Sequence, residues 1–254
     1  MSSNCRFCHA PLSLSLVDLG STPLANSNLV NEADIAREKH FPLHVMVCET
    51  CFLAQTTENV PAEDIFHDEY AYFSSFSSSW TEHARVYAHD MIHRFNLDSD
   101  SLALEVASND GYLLQHFVNL KIPVLGVEPA GNCAKAAEKK GVRTVVDFFN
   151  VSTAKKLVEE YGKADLTAAN NVLAHVPDIS DFIGGFKAIL NPEGVATFEF
   201  PHLLNLINKV QFDTIYHEHY SYLSLVSVER ILAKHELRVF DVQTLSTHGG
   251  SLRV

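Results

Sequence analysis

Apolar runs and amphipathic segments alternate along residues 100–254. Runs typical of buried strands, such as LALEV, IPVLGVE and ADLTAANNV, are each followed by a segment with apolar residues at helical spacing. Strands that alternate with helices form parallel β-α-β units, whose right-handed crossovers bring the loops after the strands to one edge of the sheet. The pattern therefore predicts an α/β fold with a doubly wound, mostly parallel sheet.

The segment before this sheet is predicted to form a covering helix. Trp80, Ala84, Tyr87, Met91 and Phe95 recur at spacings of three and four, and a preceding run of serines can cap the helix N-terminus. We divide the chain into an N-terminal module, a connector with the covering helix, and the α/β domain: residues 1–62, 63–98 and 99–254.

Four of the five cysteines form two CxxC pairs in the N-terminal module, Cys5 with Cys8 and Cys48 with Cys51. Each pair can place two thiolates on one ion, so the two pairs can complete a tetrahedral zinc site. Two disulfides, or a redox-active CxxC, are the alternatives. We predict a closed structural zinc site in a ribbon-like module, whose apolar stretch FPLHVMVCETCFLAQ packs on a neighbouring domain. Cys133 is expected to be a buried, inert thiol.

Composition excludes several classes of partner. The net charge of −12 would repel a polyphosphate backbone, and the ribbon-like module lacks a basic cluster with interleaved aromatics, so we expect no nucleic-acid partner. No apolar run reaches the roughly 18 residues of a membrane span, and the N-terminus does not resemble a signal peptide. We therefore expect a cytoplasmic protein without a membrane partner.

The stretch SLALEVASNDGYLL, residues 101–114, reads as a strand, a tight turn and a helix N-terminus, a junction where nucleotide-like ligands bind in open α/β folds. Its one glycine, Gly111, is predicted to be where the backbone passes closest to a ligand, so valine there should abolish cofactor binding and leave the zinc module folded. Glu128 ends the next strand and can accept hydrogen bonds from both ribose hydroxyls, unless it is an ion-paired surface residue. Asp147 and Phe148, after the third strand, can hold an adenine by its edge and face.

Three segments carry a family resemblance. ALEVASNDGYLL, GVEP and NNVLAHVPD together resemble the class I S-adenosylmethionine-dependent methyltransferases, whose first motif tolerates departures from GxGxG. With the CxxC pairs, EYAYFSSFSSSW and IYHEHYSYLS, the chain from Cys5 to Val254 resembles the bacterial deoxysugar C-methyltransferases that act at C3 of nucleotide-linked 4-keto-6-deoxy sugars.

The resemblance implies a Rossmann-like fold, S-adenosylmethionine as cofactor, and a nucleotide-linked keto sugar of the thymidine diphosphate type as substrate. Members of that branch continue into a further C-terminal α/β domain, whereas this chain stops at STHGGSLRV, and we expect it to lack that domain. We also expect a monomer. The cofactor-binding residues that the resemblance implies lie in the loops after the strands: Glu105, Ala107, Ser108, Asn109, Gly111, Tyr112, Glu128, Pro129, Asp147, Phe148, Asn170 and Asn171.

The segment YHEHY, residues 216–220, concentrates proton-handling side chains. C-methylation needs a carbon nucleophile: the 4-keto group acidifies the C3 proton, a base removes it, and donors stabilise the enolate oxygen. By resemblance, His219 is the candidate base, although a tyrosinate stays an alternative. The remaining catalytic candidates are Tyr216 and Glu218, which would orient the base or the sugar, His175 near the ketone or its enolate, and Tyr70 or Tyr72 against the substrate.

Other interpretations stay open. In an extended segment Tyr216, Glu218 and Tyr220 would face one way and His217 and His219 the other, and a metal site there lacks the HExxH spacing. The tyrosines of EYAYFSS can equally be one core and one surface residue. The alternative functions are a methyltransferase for another small acceptor and a non-catalytic scaffold that only binds partners.

Overall fold

The computed structural model describes residues 4–25, 29, 31–57 and 72–254, and the chain forms two compact units. The first, here the cysteine unit, comprises Met1–Ile65, Leu173–Ser180 and Glu199–Val254. The second, here the sheet unit, comprises Phe66–Val172 and Asp181–Phe198. The division of the sequence at residues 62 and 98 stays a prediction.

Four parallel strands form the centre of the sheet unit: β4 (Ala103–Val106), β5 (Val124–Val127), β6 (Thr144–Val145) and β7 (Ala164–Asn170). β4 lies between β5 and β7, β6 lies beside β5, and β8 (Leu190–Pro201) lies beside β7. The chain thus winds outward from β4 in both directions, which confirms the predicted doubly wound sheet. Ligands bind in such sheets at the carboxyl ends of the strands where the winding reverses, which here is the end of β4.

The long helix α2 (Ser78–Phe95) covers part of this sheet, as predicted. Ser77 caps it, because its Oγ accepts a hydrogen bond from the Trp80 N–H at 3.2 Å. Ala84, Tyr87 and Met91 are buried in the core with residues of β4 and β7. The other helices of the sheet unit alternate with its strands: α3 (Leu114–Asn119), α4 (Gly131–Glu138), α5 (Val151–Tyr161) and α6 (Ile179–Ile189), whose first two residues belong to the cysteine unit.

An antiparallel sheet organises the cysteine unit, with the order β1 (Leu14–Thr22), β2 (Phe41–Val47), β3 (Ala54–Thr56) and β9 (Ser221–Tyr222). The fourth strand comes from the YHEHY region rather than from the N-terminal segment. Leu43 and Val45 of β2 pack against Ile215 and Tyr222, so the apolar stretch packs on a later segment of the same unit rather than on a separate domain. A short helix, α1 (Glu32–Ile35), precedes β2.

The rest of the cysteine unit follows β8 along the chain: α7 (Leu203–Asn208), α8 (Leu225–Lys234), β10 (Gln243–Leu245) and β11 (Ser251–Arg253). β11 pairs antiparallel with Glu199–Pro201 at the end of β8, and Arg253 bonds the buried Glu199 carboxylate at 2.8 Å. β10 begins at Gln243, so the apolar run before it, residues 237–242, is not part of the strand. None of the helices in the described part of the chain has the length and apolar character needed to cross a membrane.

Candidate active site and metal centre

The loop after β4 has the backbone conformation of a glycine-rich loop, although it contains only one glycine. Ala107, Asn109 and Gly111 have φ angles of +55°, +48° and +74°. Residues 107, 109 and 111 are therefore left-handed, a conformation that glycine adopts more readily than other residues do. Asn tolerates it, whereas Ala is strained by about 1 kcal/mol. The sequence shows no glycine fingerprint because two of the three left-handed positions hold Ala107 and Asn109 instead of glycine.

Gly111 is required by packing as well as by its backbone angle. A Cβ on Gly111 would lie 3.1 Å from both Ala137 Cβ and Val142 Cγ2, which belong to the core of the sheet unit. The structure thus gives a folding reason for this glycine, and the predicted close approach to a ligand stays a prediction.

Gly111→Ala is expected to destabilise the protein by about 2–4 kcal/mol, because strain at positive φ adds to overpacking of the core. Gly141 is a matched control, since it has φ of +80° and a built Cβ there would make only an ordinary contact, 3.4 Å from Val118 Cγ1. Gly141→Ala should cost only the backbone contribution of about 1 kcal/mol. Denaturant unfolding of both variants measures the difference, and equal costs would contradict the packing argument.

Glu128 holds the loop from the end of β5. Its Oε2 accepts a hydrogen bond from the Asn109 N–H at 2.8 Å, and its Oε1 accepts one from the Ala130 N–H at 2.9 Å. Burial raises the pKa of Glu128, and these two backbone donors oppose the rise. It is therefore a buried, backbone-bonded residue and not an ion-paired surface glutamate. Each oxygen retains a second lone pair, so Glu128 can also accept a hydrogen bond from a ribose hydroxyl, and that contact stays a prediction.

Two loop residues fasten the segment that precedes α2. Asn109 accepts from the Ser74 N–H at 2.8 Å and donates to the Tyr72 carbonyl at 3.1 Å. The buried Asp110 carboxylate accepts from the Ser75 N–H and hydroxyl and forms an ion pair with Lys140 at 2.9 Å. Asp110 lies in the predicted cofactor loop, but nothing in its local sequence pattern indicates that it is buried and ion-paired.

The carboxyl ends of β4 and β7 carry buried polar atoms that lack a partner. Within the described residues, neither Glu105 carboxyl oxygen, nor Ser108 Oγ, nor Asn170 Oδ1 has a hydrogen-bond partner. Burial raises the pKa of Glu105 well above its ordinary value, while the nearby Tyr112 hydroxyl opposes the rise. Buried polar groups are normally paired, so an unpaired group calls for an explanation such as a ligand. The residues present fit a ligand with a cationic head, as the methionine part of S-adenosylmethionine has.

The other predicted cofactor residues occupy the same unit. The Tyr112 ring stacks on Trp80, and the Tyr112 hydroxyl lies 3.4 Å from Asn170 Nδ2. Tyr112 itself lies before the first residue of α3. Asp147 accepts hydrogen bonds from the Phe148 N–H and the Thr153 hydroxyl, so each of its carboxylate oxygens already has one partner within the protein. The exposed Phe148 ring is free to stack. Both Pro129, two residues after β5, and Asn171, directly after β7, are partly buried.

His219 lies at the centre of an aromatic cluster in the cysteine unit. Its Nδ1 lies 2.9 Å from the Thr214 carbonyl, and its Nε2 lies 3.0 Å from the Tyr216 hydroxyl. A carbonyl can only accept, so Nδ1 carries the proton and Nε2 accepts from Tyr216. The His175 ring lies 4.7 Å from the His219 ring, centroid to centroid, and its Nδ1 donates to the Glu218 carbonyl at 2.9 Å. The structure thus brings together four predicted catalytic residues.

The extended geometry expected for YHEHY is wrong. The His219 N–H bonds the Tyr216 carbonyl at 3.0 Å, which closes a turn. Tyr216 and His219 therefore face each other, with ring centroids 4.1 Å apart, instead of pointing to opposite sides. Tyr72, in the sheet unit, is half exposed, and Tyr70 lies outside the described residues.

Burial sets the charge of the cluster. Burial lowers the pKa of His219 to about 4. Burial, together with repulsion from a protonated His219, lowers the pKa of His175 to about 3. Burial and the Glu218 charge raise the pKa of Tyr216 to about 12. At neutral pH both histidines are neutral and Tyr216 is protonated, so His219 Nε2 can receive a proton and Tyr216 can donate one.

The depressed histidine pKa values predict a loss of stability in acid. From the ordinary pKa of 6.5 down to about 4, His219 binds a proton only in the unfolded chain, so unfolding becomes easier as the pH falls. The free energy of unfolding should fall by about 1.4 kcal/mol per pH unit for each such histidine. Denaturant titrations at pH 7 and 5 should show a smaller fall in His219→Gln. An equal fall in the variant would contradict burial of a neutral His219.

The four cysteines converge as their spacing predicted. Their Sγ atoms all lie within 4.8 Å of one another, with Cys5 and Cys51 3.5 Å apart and Cys8 and Cys48 3.4 Å apart. Tetrahedral zinc with Zn–S bonds of about 2.3 Å needs S–S separations of about 3.8 Å, so the four thiols fit the ion. All four are free thiols, which excludes the two-disulfide alternative in this structure. Cys133 is buried, and burial raises its pKa to about 12, consistent with an inert thiol.

Family models match most of the chain. One described as "Putative zinc binding domain" matches residues 5–66, and one described as "Methyltransferase domain" matches residues 80–242. Among curated proteins, the C-methyltransferase NovU of Streptomyces niveus is 38% identical over 98% of this chain. The chain spans 59% of the length of that relative. A ubiquinone biosynthesis O-methyltransferase of Rhodopseudomonas palustris is 27% identical over 55% of this chain and 63% of its own length.

Solved structures share the fold. Magnesium protoporphyrin IX methyltransferase from Synechocystis PCC 6803, with bound S-adenosylhomocysteine, superposes with a TM-score of 0.53 at 14% identity, over 68% of this chain and 80% of its own. An S-adenosylmethionine-dependent methyltransferase from Clostridium acetobutylicum gives 0.55 at 14% identity, over 68% and 89%. The chain therefore has the class I methyltransferase fold with an N-terminal four-cysteine module, and it belongs to the methyltransferase family that the matching domain model describes.

Proposed function

We propose that this protein transfers the methyl group of S-adenosylmethionine to C3 of a nucleotide-linked 4-keto-6-deoxy sugar. The observation that carries the proposal is the pairing of a neutral, buried His219 with the Tyr216 hydroxyl, a constellation that suits removal of an acidified C–H proton. The relationship to a C-methyltransferase over nearly the whole chain supports transfer to carbon.

The methyl donor is proposed to bind at the carboxyl ends of β4 and β5. Glu105, a buried carboxyl beside the Tyr112 hydroxyl, would receive the α-amino group of the donor. Glu128 would accept from the ribose, and Phe148 would cover the adenine. When bound, the donor supplies an electrophilic methyl group on a sulfonium.

The acceptor proton is proposed to pass to His219. The C3–H bond breaks as the Tyr216 oxygen takes that proton, while the hydroxyl proton of Tyr216 moves to His219 Nε2. Thr214 holds the Nδ1–H of His219, so the resulting imidazolium keeps a hydrogen bond on both nitrogens. The electron pair left on C3 is delocalised onto the ketone oxygen and then forms the new carbon–carbon bond with the methyl group, as the bond from methyl to sulfur breaks and S-adenosylhomocysteine is left. His175 is proposed to lie near that oxygen, with Glu218 orienting the sugar and Tyr72 or Tyr70 contacting it.

Binding of S-adenosylhomocysteine tests the donor half. Calorimetry should show binding to the zinc-loaded protein, and Glu105→Gln should weaken it by about 10- to 100-fold, because a charged hydrogen bond contributes about 1.5–3 kcal/mol. Glu138→Gln, on the exposed part of α4, is the matched control and should bind normally. Absence of binding to the unmodified protein would overturn the donor assignment.

Proton exchange tests the acceptor half. Deuterium should enter C3 of the thymidine diphosphate 4-keto-6-deoxy sugar in D2O without methyl donor, and nuclear magnetic resonance follows its rate. Binding of S-adenosylhomocysteine without such exchange would contradict the keto-sugar substrate and favour a methyltransferase that acts on another small acceptor. Absence of both would favour the non-catalytic scaffold.

A further inference from the structure

The cysteine unit holds the segment that carries His219 through several contacts. The guanidinium of Arg6, which lies between Cys5 and Cys8, donates from Nη2 to the Tyr220 carbonyl. The Thr56 N–H donates to the same carbonyl at 3.1 Å. The next residues, Ser221 and Tyr222, form β9 and pair with β3. The residue after His219 is therefore fixed by the N-terminal segment.

Arg6 itself is held on its other side. Its Nη1 donates to the Thr56 carbonyl at 2.6 Å, so the guanidinium spans a carbonyl of β3 and the Tyr220 carbonyl just before β9. Its backbone N–H donates to Gln55 Oε1 at 2.9 Å, and Gln55 Nε2 lies 3.2 Å from the Cys5 sulfur. Gln55 is buried, so this contact with a metal-ligating thiol is shielded from water. A continuous path thus links a cysteine of the metal centre to the residue beside His219.

We infer that Arg6 is a positioning residue for methyl transfer. Arg6 fixes the position of the Tyr216–His219 turn relative to the four-cysteine centre. This inference rests on the proposed function, in which His219 receives the acceptor proton. It gives the metal centre a role in the reaction beyond folding, because zinc fixes the CxxC turn that bears Arg6. The planar fork of arginine suits two carbonyls at once, whereas lysine offers a single point charge.

The expected effect follows from geometry. The Tyr216 hydroxyl and His219 Nε2 are in hydrogen-bond contact at 3.0 Å, and the His219 ring is fixed by Thr214 five residues earlier. Loss of the Arg6 donors removes the Arg6 hydrogen bond to the Tyr220 carbonyl and allows the turn to shift. A displacement of about 1 Å at a reacting group can cost about 100-fold in rate.

The test uses the full chain loaded with zinc and two variants, Arg6→Gln and Arg6→Lys. Arg230→Gln is the matched control, because Arg230 also donates to a carbonyl of a CxxC segment, at Thr50, but does not contact the turn. We expect Arg6→Gln to retain one zinc and normal S-adenosylhomocysteine affinity, and to lower kcat and C3 proton exchange by about 10- to 100-fold. Arg6→Lys should recover part of the loss, and Arg230→Gln should match the unmodified protein.

Nitrogen-15 spectra of the histidines separate this inference from the proposed function. His219 should report the Nδ1–H form in the unmodified protein and a mixture of the two tautomers in Arg6→Gln, whatever the acceptor is. An unchanged His219 spectrum with unchanged kcat would overturn the inference, as would a loss of activity explained wholly by loss of zinc. A changed spectrum in a protein that methylates no keto sugar would leave Arg6 as the positioning residue of His219 and overturn only the proposed reaction.

Discussion

Replacing His219 with alanine is expected to lower the rate of methyl transfer by about 10²- to 10⁴-fold, the usual contribution of a positioned acid–base group. The variant loses the nitrogen that accepts the Tyr216 proton, so Tyr216 can no longer pass its proton on. Exchange of the C3 proton should fall by a similar factor, because it depends on the same step. Single-turnover assays with labelled S-adenosylmethionine, and exchange in D2O, measure the two effects.

Two control variants show whether the loss is chemical. His40→Ala changes an exposed histidine of the same unit and should have no effect. Tyr216→Phe should be nearly as slow as His219→Ala, because it breaks the same relay. All three should bind S-adenosylhomocysteine normally, since the proposed donor residues lie in the sheet unit. Normal exchange in His219→Ala would reassign the base, with a tyrosinate as the next candidate.

Removing zinc is expected to unfold the four-stranded sheet of the cysteine unit. The binding free energy of structural zinc is about 10–16 kcal/mol, more than the stability of a typical domain. The two CxxC turns precede β1 and join β2 to β3, so the chain entering each of these strands depends on the ion. Hydrogen exchange should show loss of amide protection over β2 and β3 after chelation, and retention over β4 and β5.

Single substitutions should separate the metal ligands from the remaining cysteine. Cys48→Ser should lower the zinc content below one ion per chain and reproduce the loss of protection. Cys133→Ser should retain one zinc, because Cys133 lies in α4 of the sheet unit. Protection of β2 and β3 that survives complete chelation would show that the metal does not hold this sheet.

The parts that the sequence predicts are those that local pattern determines. The CxxC pairs, the Ser77-capped helix and the alternation of strands and helices each depend on neighbours within one turn or one strand. The four convergent thiols, the capped α2 and the parallel centre of the sheet confirm these predictions.

The parts that the sequence does not predict depend on distant partners. YHEHY forms a turn because Tyr216 and His219 bond each other and because β9 pairs with β3, from a segment more than 150 residues earlier. Asp110 is buried because Ser75 and Lys140 reach it from two other segments. The left-handed conformation of Ala107 cannot be predicted from its residue type, since the surrounding loop imposes that conformation on an alanine. The roles of the individual site residues stay predictions.

The most direct test of the proposed function is the position of the transferred methyl group. Zinc-loaded protein is incubated with carbon-13 methyl-labelled S-adenosylmethionine and the thymidine diphosphate 4-keto-6-deoxy sugar, and the product is examined by carbon-13 nuclear magnetic resonance. The proposed function predicts a new methyl signal bonded to C3, formed at a rate that depends on His219. A methyl signal on oxygen, or donor binding without any labelled sugar, would contradict it.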